Sequence, residues 1–338
     1  MLANYANLGR AYTALNRLDE AEAIYKQAQE RNLEIESMFY ELAFLKGDAA
    51  QMAQLLSTAM GRGGGEDMWL HMRENTEGWY GRLKNALELT RRVMDLALHN
   101  DAKETAAVYQ ADAALREVEA GNREQARAEA HAAMKLAPSR NVRTIAALAL
   151  ARAGDTEEAE KLTAELDKTL PLDTLVQRYW LPTIRAAVAL QHEDPNRAIE
   201  LLKVPGTIEL GVSASLAPVY LRGEAYLMLH DGDRAAAEFQ KFIDHRGPVG
   251  NCPCGALARL GLARAYALQA GLPVAAVSDR RKEDGAPFLR QGRLRAPLQP
   301  DTLAKARAAY QDFLTLWKDA DPDVPILRQA KAEYAKLQ

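Results

Sequence analysis

Cys252 and Cys254 stand one residue apart in Asn251-Cys252-Pro253-Cys254-Gly255, and a pair of thiolates could grip a soft metal or cycle between dithiol and disulfide. One intervening residue is the wrong spacing for a zinc knuckle, and no second ligand pair accompanies it. Two cysteines are too few for a disulfide framework, so the expectation is a pair of loop thiols. The six histidines, His71, His99, His131, His192, His230 and His245, are scattered singly and form no H-E-x-x-H motif. Gly61-Arg62-Gly63-Gly64-Gly65 has the glycines of a phosphate cradle. A P-loop needs Lys-Ser/Thr next, whereas here Glu66-Asp67 follow and would repel phosphate. A linker is expected there. Asp155-Thr156-Glu157-Glu158 groups acids, but acids at a helix N-terminus complement its dipole without doing catalysis. There is no G-x-S-x-G elbow. The expected chemistry is therefore none: no catalytic residue, no cofactor and no metal site.

The elements that would carry these residues read as helices. Apolar residues make up 48% of the 338, enough for a core, and alanine is frequent, which favours helix. The 43 basic residues against 46 acidic ones offer no electrostatic case for nucleic acid or an anionic membrane. No apolar run reaches the ~18 residues of a membrane span. The first residues, Met1-Leu2-Ala3-Asn4, lack the basic and apolar regions of a signal peptide, so a cytoplasmic location is expected.

The helices come in pairs. Tyr5, Leu8, Gly9 and Tyr12 share one face, Asn16 to Asp19 make a turn, and Ala21, Tyr25 and Ala28 continue the apolar face on a second helix. The clearest copy is Ser215 to Gly247, with Gly223, Tyr226, Ala235, Phe239 and Phe242. This spacing is that of a helix–turn–helix repeat of about 34 residues. Small residues such as Gly9 and Ala21 belong where two helices cross closely. Counting along the chain predicts pairs starting near 2, 36, 67, 107, 140, 179, 216 and 256. The eighth pair is interrupted between about Gly271 and Pro300 by a proline-containing segment with six basic residues, read as an inserted disordered loop. A last helix, near 324–336, is expected to cap the apolar end.

Leu8-Gly9, Tyr12, Ala21, Tyr25 and Ala28, and again Gly223, Tyr226, Ala235 and Phe239, resemble the tetratricopeptide repeat. The resemblance implies an all-α fold, a solenoid of about eight helix pairs wound as a right-handed superhelix, whose concave groove binds peptides or partner proteins. Gly78-Trp79-Tyr80-Gly81-Arg82-Leu83, Asp101 to Ala106 and Tyr310 to Asp323 are also similar to the C-terminal repeat region of acidobacterial-type serine/threonine protein kinases. Some winged-helix regulators carry a similar region. Kinase catalysis needs H-R-D and D-F-G motifs; here His245-Arg246 is followed by Gly247 and no D-F-G occurs. The resemblance thus implies an interaction scaffold in signalling. Its alternative is the sensor or oligomerisation tail of a kinase or winged-helix regulator with an N-terminal domain outside this chain, in which case an extracytoplasmic site is also open.

In such repeats the first helix of each pair lines the groove. That rule places Arg10, Thr13, Leu115, Arg152, Trp180, Thr183, Tyr220, Glu224, Leu227, Leu260 and Arg264 on the binding face. Arg10, Arg152, Trp180, Tyr220, Glu224, Leu227 and Arg264 are the expected partner-binding set, with Trp180, Tyr220 and Arg264 leading because aromatic and arginine residues dominate hot spots. The competing reading is that Trp180 and Tyr220 pack between adjacent pairs. Partner identity and oligomeric state are open at this stage.

Overall fold

A computed structural model describes residues 2–62, 65–211, 216–272 and 300–338. Most of the expected 271–300 loop lies outside the described residues. The described residues form helices joined by turns and contain no strand. Pairs form from α1 (Leu2–Ala14) with α2 (Leu18–Glu30), α3 (Glu36–Lys46) with α4 (Ala49–Met60), and α5 (Glu66–Trp79) with α6 (Leu83–His99). They continue with α7 (Lys103–Ala120) and α8 (Arg123–Leu136), α9 (Arg140–Ala153) and α10 (Thr156–Thr169), and α11 (Leu181–Gln191) and α12 (Pro195–Leu201). Then come α13 (Ala217–Met228) and α14 (Gly232–Asp244), a single turn α15 (Arg246–Val249), α16 (Pro253–Gln269) with α17 (Pro300–Leu316), and α18 (Pro325–Ala335). The molecule is an all-α solenoid of helix pairs. Before α11 the chain makes one π turn, Val176–Trp180. Pro182 follows and has no N–H to return to the preceding turn, which fits a local widening there.

One local rule makes several of the turns. A residue in the left-handed region ends the first helix and an aspartate then caps the second. The pairs Gly47-Asp48, Gly154-Asp155, Glu193-Asp194 and His230-Asp231 follow it, with φ of 74°, 89°, 59° and 57° at the first residue. The aspartate carboxylates accept the backbone N–H of Gln51, Glu158, Arg197 and Arg234 at 2.9, 3.4, 2.9 and 3.0 Å. Such a cap contributes about 1 kcal/mol. A side chain in the left-handed region costs a comparable amount, and glycine avoids that cost. His230→Gly is therefore expected to raise the urea unfolding midpoint, by about 1 kcal/mol in stability; a lower midpoint would show that the imidazole itself holds the turn.

Glycines set how closely the helices pack. A Cβ on Gly9 would come within 1.9 Å of the Tyr25 ring. The Phe239 ring sits between two helices, so that a Cβ on Gly223 or on Gly261 would lie 2.6 or 2.5 Å from it. Phe239 is thus the wedge that joins α13 and α14 to α16. Because an aromatic ring at 1% exposure has nowhere to move, Gly261→Ala should cost about 1–3 kcal/mol in chemical denaturation. An unchanged midpoint would mean the wedge can shift.

The end of the solenoid packs back on its beginning. Gly247 N donates to Asn16 Oδ1 at 3.1 Å, and Asn251 Nδ2 donates to the Met72 carbonyl at 2.8 Å. Trp317 Nε1 donates to the Trp79 carbonyl at 2.9 Å, and Asp321 N to the Gly81 carbonyl at 3.1 Å. Helix α16 touches α5 and α7 as well as its neighbours α13, α14 and α17. The first helices therefore face a shared interior that α15 and α16 close off.

Candidate functional site

The interior holds a cavity of about 340 Å³, lined from α3 by Glu41, α5 by His71 and Asn75, α7 by Asp112, Leu115, Arg116 and Glu119, and α9 by Leu148 and Arg152. Ala217, Tyr220 and Leu221 of α13 and the segment 248–254 complete it. Asp112, Arg116 and Glu119 reach it together because they fall at i, i+4 and i+7 of α7, one face of one helix. The rest of that helix is largely small and apolar, which lets its neighbours approach.

Two ion pairs frame the cavity. Glu74, wholly buried, takes hydrogen bonds from Arg116 and Thr90 and meets His71 Nδ1 at 2.9 Å. Arg116 Nη2 also donates to Thr90 Oγ1 at 2.9 Å. Across the interior, Arg152 grips Glu224 with both terminal nitrogens, at 3.0 and 3.4 Å, and lies 5.3 Å from the Tyr220 ring centroid. Burial opposes the charge on Arg152 and Glu224 restores it, leaving the guanidinium more firmly protonated than usual. Hydrogen bonding from His71 and the charge of Arg116 outweigh burial and hold the Glu74 carboxyl below the ordinary range. Glu74 and Asp112 raise the His71 imidazole despite its burial.

Three further carboxylates face the cavity without such partners. The side chains of Glu41 and Glu119 make no hydrogen bond or ion pair among the described residues, and Asp112 has His71 Nε2 at 3.9 Å. Burial pushes Glu119 up to about 7, with Glu224 adding to it and Arg152 opposing. Burial pushes Asp112 up to about 6, with Glu74 adding and His71 and Arg116 opposing. Glu41 is raised by burial against the charge of Arg10. Asp112 exposes 34% of its side chain, yet it lines a cavity inside the protein, and protein displaces most of the water that would solvate its charge. Counting the framing pairs, five carboxylates (Glu41, Glu74, Asp112, Glu119, Glu224) meet two guanidiniums (Arg116, Arg152) and one imidazole (His71). The interior therefore carries an excess of negative charge when its acids are ionised.

The residues expected on a groove are distributed as follows. Arg152, Tyr220 and Leu115 line the cavity. Glu224 is buried as the partner of Arg152. Leu227 and Leu260 are buried in the core, and Thr13 and Thr183 are buried too. Arg264 is buried against Glu333 at 3.0 Å, joining α16 to α18, and Tyr310 donates to the same carboxylate at 2.9 Å. Trp180 is half-buried, edge-on to Tyr179 at 4.9 Å. Arg10 is exposed on α1. Sequence reasoning passed over Glu41, His71, Glu74, Asp112, Arg116 and Glu119. The signal available was their spacing: charges repeated along one face of a helix otherwise built for burial. Cys252 and Cys254 form no disulfide and lie beside the cavity, Cys254 buried in the first turn of α16, and a hydrogen bond with Cys252 and then burial push the Cys254 thiol up. Among the described residues no group of three or more His, Cys, Asp or Glu could hold a metal ion, and no helix is long and apolar enough to cross a membrane.

No family model and no curated protein matches the chain. Among solved structures the chain is similar to the tetratricopeptide repeat domain of P58(IPK), at 13% identity and a TM-score of 0.28 over 100% of this chain and 97% of that one. At that score the likeness carries no argument, so the reading of the fold rests on the helix pairs and their contacts.

Proposed function

We propose that the chain is a non-enzymatic protein–protein interaction scaffold, and that its interior cavity admits a basic side chain of the partner segment it binds. One observation carries this reading: Glu41, Asp112 and Glu119 face a 340 Å³ cavity and, among the described residues, no cation is paired to them at ion-pair geometry apart from the His71 contact at 3.9 Å. Desolvated carboxylates are costly unless paired, and an arriving ammonium or guanidinium would pair them. The volume lies at the small end of the range for ligand sites, about 300–1,000 Å³, and suits one side chain rather than a folded surface. Tyr220 and Leu115 supply apolar walls for its methylene stem, and Arg152 holds Tyr220 in place. Arg10, exposed on α1 and acting through its charge on Glu41, would meet the flanking part of the bound segment.

A random heptapeptide library on beads, exposed to the labelled protein, tests this. The beads retained should be enriched in Lys or Arg, and enrichment should disappear with the Asp112→Asn/Glu119→Gln double variant. Retained beads with no basic enrichment would contradict the reading. A place in signalling, or behind a kinase or winged-helix domain, rests on the sequence resemblance alone.

A further inference from the structure

A second cavity, of about 280 Å³, lies beside α15 and is lined by the end of α3, by Trp79 and Tyr80 at the end of α5, and by Phe242, Arg246 and Arg259. Its charge is opposite to that of the first. The four buried arginines among the described residues, Arg116, Arg152, Arg222 and Arg264, each pair with a carboxylate. Arg246 and Arg259 form no ion pair among the described residues. Both are nevertheless held in position. Arg246 donates through Nη2 to the Leu45 carbonyl, and Arg259 through Nη1 to the Gly255 carbonyl at 3.0 Å. The Arg259 guanidinium also lies 5.3 Å from the Trp79 ring centroid, on an aromatic wall. Each keeps further N–H groups that no hydrogen bond among the described residues uses.

The two cations also act on each other. Burial, and then the charge of Arg246, lower the basicity of Arg259, while Asp312 and then Tyr80 act in the other direction. Lys46, at the rim, is committed to Asp19 and Glu22 at 2.8 and 2.6 Å. Two guanidiniums fixed at one cavity, without a carboxylate bridging them, are a receptor for an oxyanion.

We propose that Arg246 and Arg259 form a binding site for a dianionic oxyanion of the phosphate class, with Trp79 as the wall on which Arg259 is held. A dianion matches the two guanidiniums better than a single carboxylate does. The site is independent of the cation-accepting cavity: the two share only Val249 and Gly250 as common lining.

Trp79 makes the test optical. Tryptophan emission of the whole chain is followed during titration with inorganic phosphate, at constant ionic strength set with chloride, since Arg–oxyanion contacts are screened by salt. O-phosphoserine forms a second arm, to separate free phosphate from a phosphorylated side chain, and acetate serves as the monoanionic comparator. The wild type should give a saturable change with one or both phosphates and a midpoint at least tenfold weaker with acetate. Arg246→Gln and Arg259→Gln should each weaken the midpoint at least tenfold. Arg246 is exposed, so its variant removes the charge without disturbing the core. Arg234→Gln, a surface arginine elsewhere, should leave the midpoint unchanged. No saturable change in the wild type, or the same midpoint in Arg246→Gln, overturns the proposal. Loss of the phosphate response with basic-peptide binding intact counts for this site and leaves the other cavity untouched.

Discussion

Glu74→Ala should lower the unfolding free energy by about 3–5 kcal/mol, the largest effect of any single substitution at this interior. The carboxylate is wholly buried and receives Arg116, Thr90 and His71 together. Removing it leaves Arg116, whose side chain is 3% exposed, charged with no carboxylate partner at ion-pair distance. Among the described residues its Nε already lacks a hydrogen-bond partner, which leaves Thr90 as its remaining side-chain acceptor. His71 loses the carboxylate that, against burial, raises the basicity of its imidazole. A globular domain has only about 5–15 kcal/mol of stability to lose, so the variant should approach half-unfolding in mild urea. The companion double variant, Glu74→Ala with Arg116→Met, should recover much of the loss, because it removes the stranded charge and keeps apolar volume. Urea titration followed by helical circular dichroism measures both. A loss below about 1 kcal/mol in Glu74→Ala would show that water reaches Arg116 and that the interior is wetter than its burial indicates.

Glu119→Gln should have the opposite sign. The folded-state carboxyl titrates at about 7, above the ordinary value of 4.5. The folded protein therefore holds this proton more tightly than the unfolded chain. Stability contributed by the protonated form is present at low pH, falls as pH rises from about 4.5 to about 7, and is lost above that. Glutamine never ionises, so the variant should match the wild type near pH 4 and exceed it at pH 8, by on the order of 1 kcal/mol. The charges that face Glu119 are those of Arg152 and Glu224, which pair with each other. Asp112, facing His71, Glu74 and Arg116, should behave the same way with its transition nearer 6. The gain in stability should come with a loss in binding of basic peptides, as expected where a strained group is kept for use. A variant equally stable at every pH, or less stable at pH 8, contradicts the account.

Glu74 and Glu119 are both acids on first helices, and nothing local in the sequence tells them apart. One is fully paired and the other is not, because of where Arg116 and Arg152 turn. That distinction is tertiary. The helices themselves were legible, since the 3.6-residue period and the glycine–aromatic spacing act locally: Gly9 with Tyr25 and Gly223 with Phe239 are contacts inside single pairs. The return of the end of the chain onto its beginning was not legible. It rests on partners far apart in sequence, such as Trp317 with Trp79 and Asn251 with Met72, which no repeat pattern encodes. Arg152 and Glu224 were both picked from the sequence as groove residues facing a partner. In the structure they face each other across the interior. Arg264, chosen for the same reason, is taken up by Glu333 of α18, a helix that the sequence marked only as a cap.

A cation that enters the cavity and pairs with Asp112 and Glu119 should displace protons from them, since burial raises these carboxyls to about 6 and about 7. Calorimetric titration with agmatine, a free alkylguanidinium, at pH 6.5 in buffers of different ionisation enthalpy, measures this directly. The account predicts saturable binding with net proton release, weakening as pH falls toward 5, and both effects absent in the Asp112→Asn/Glu119→Gln double variant. Binding heats independent of the buffer, or equal affinity in the double variant, would contradict it.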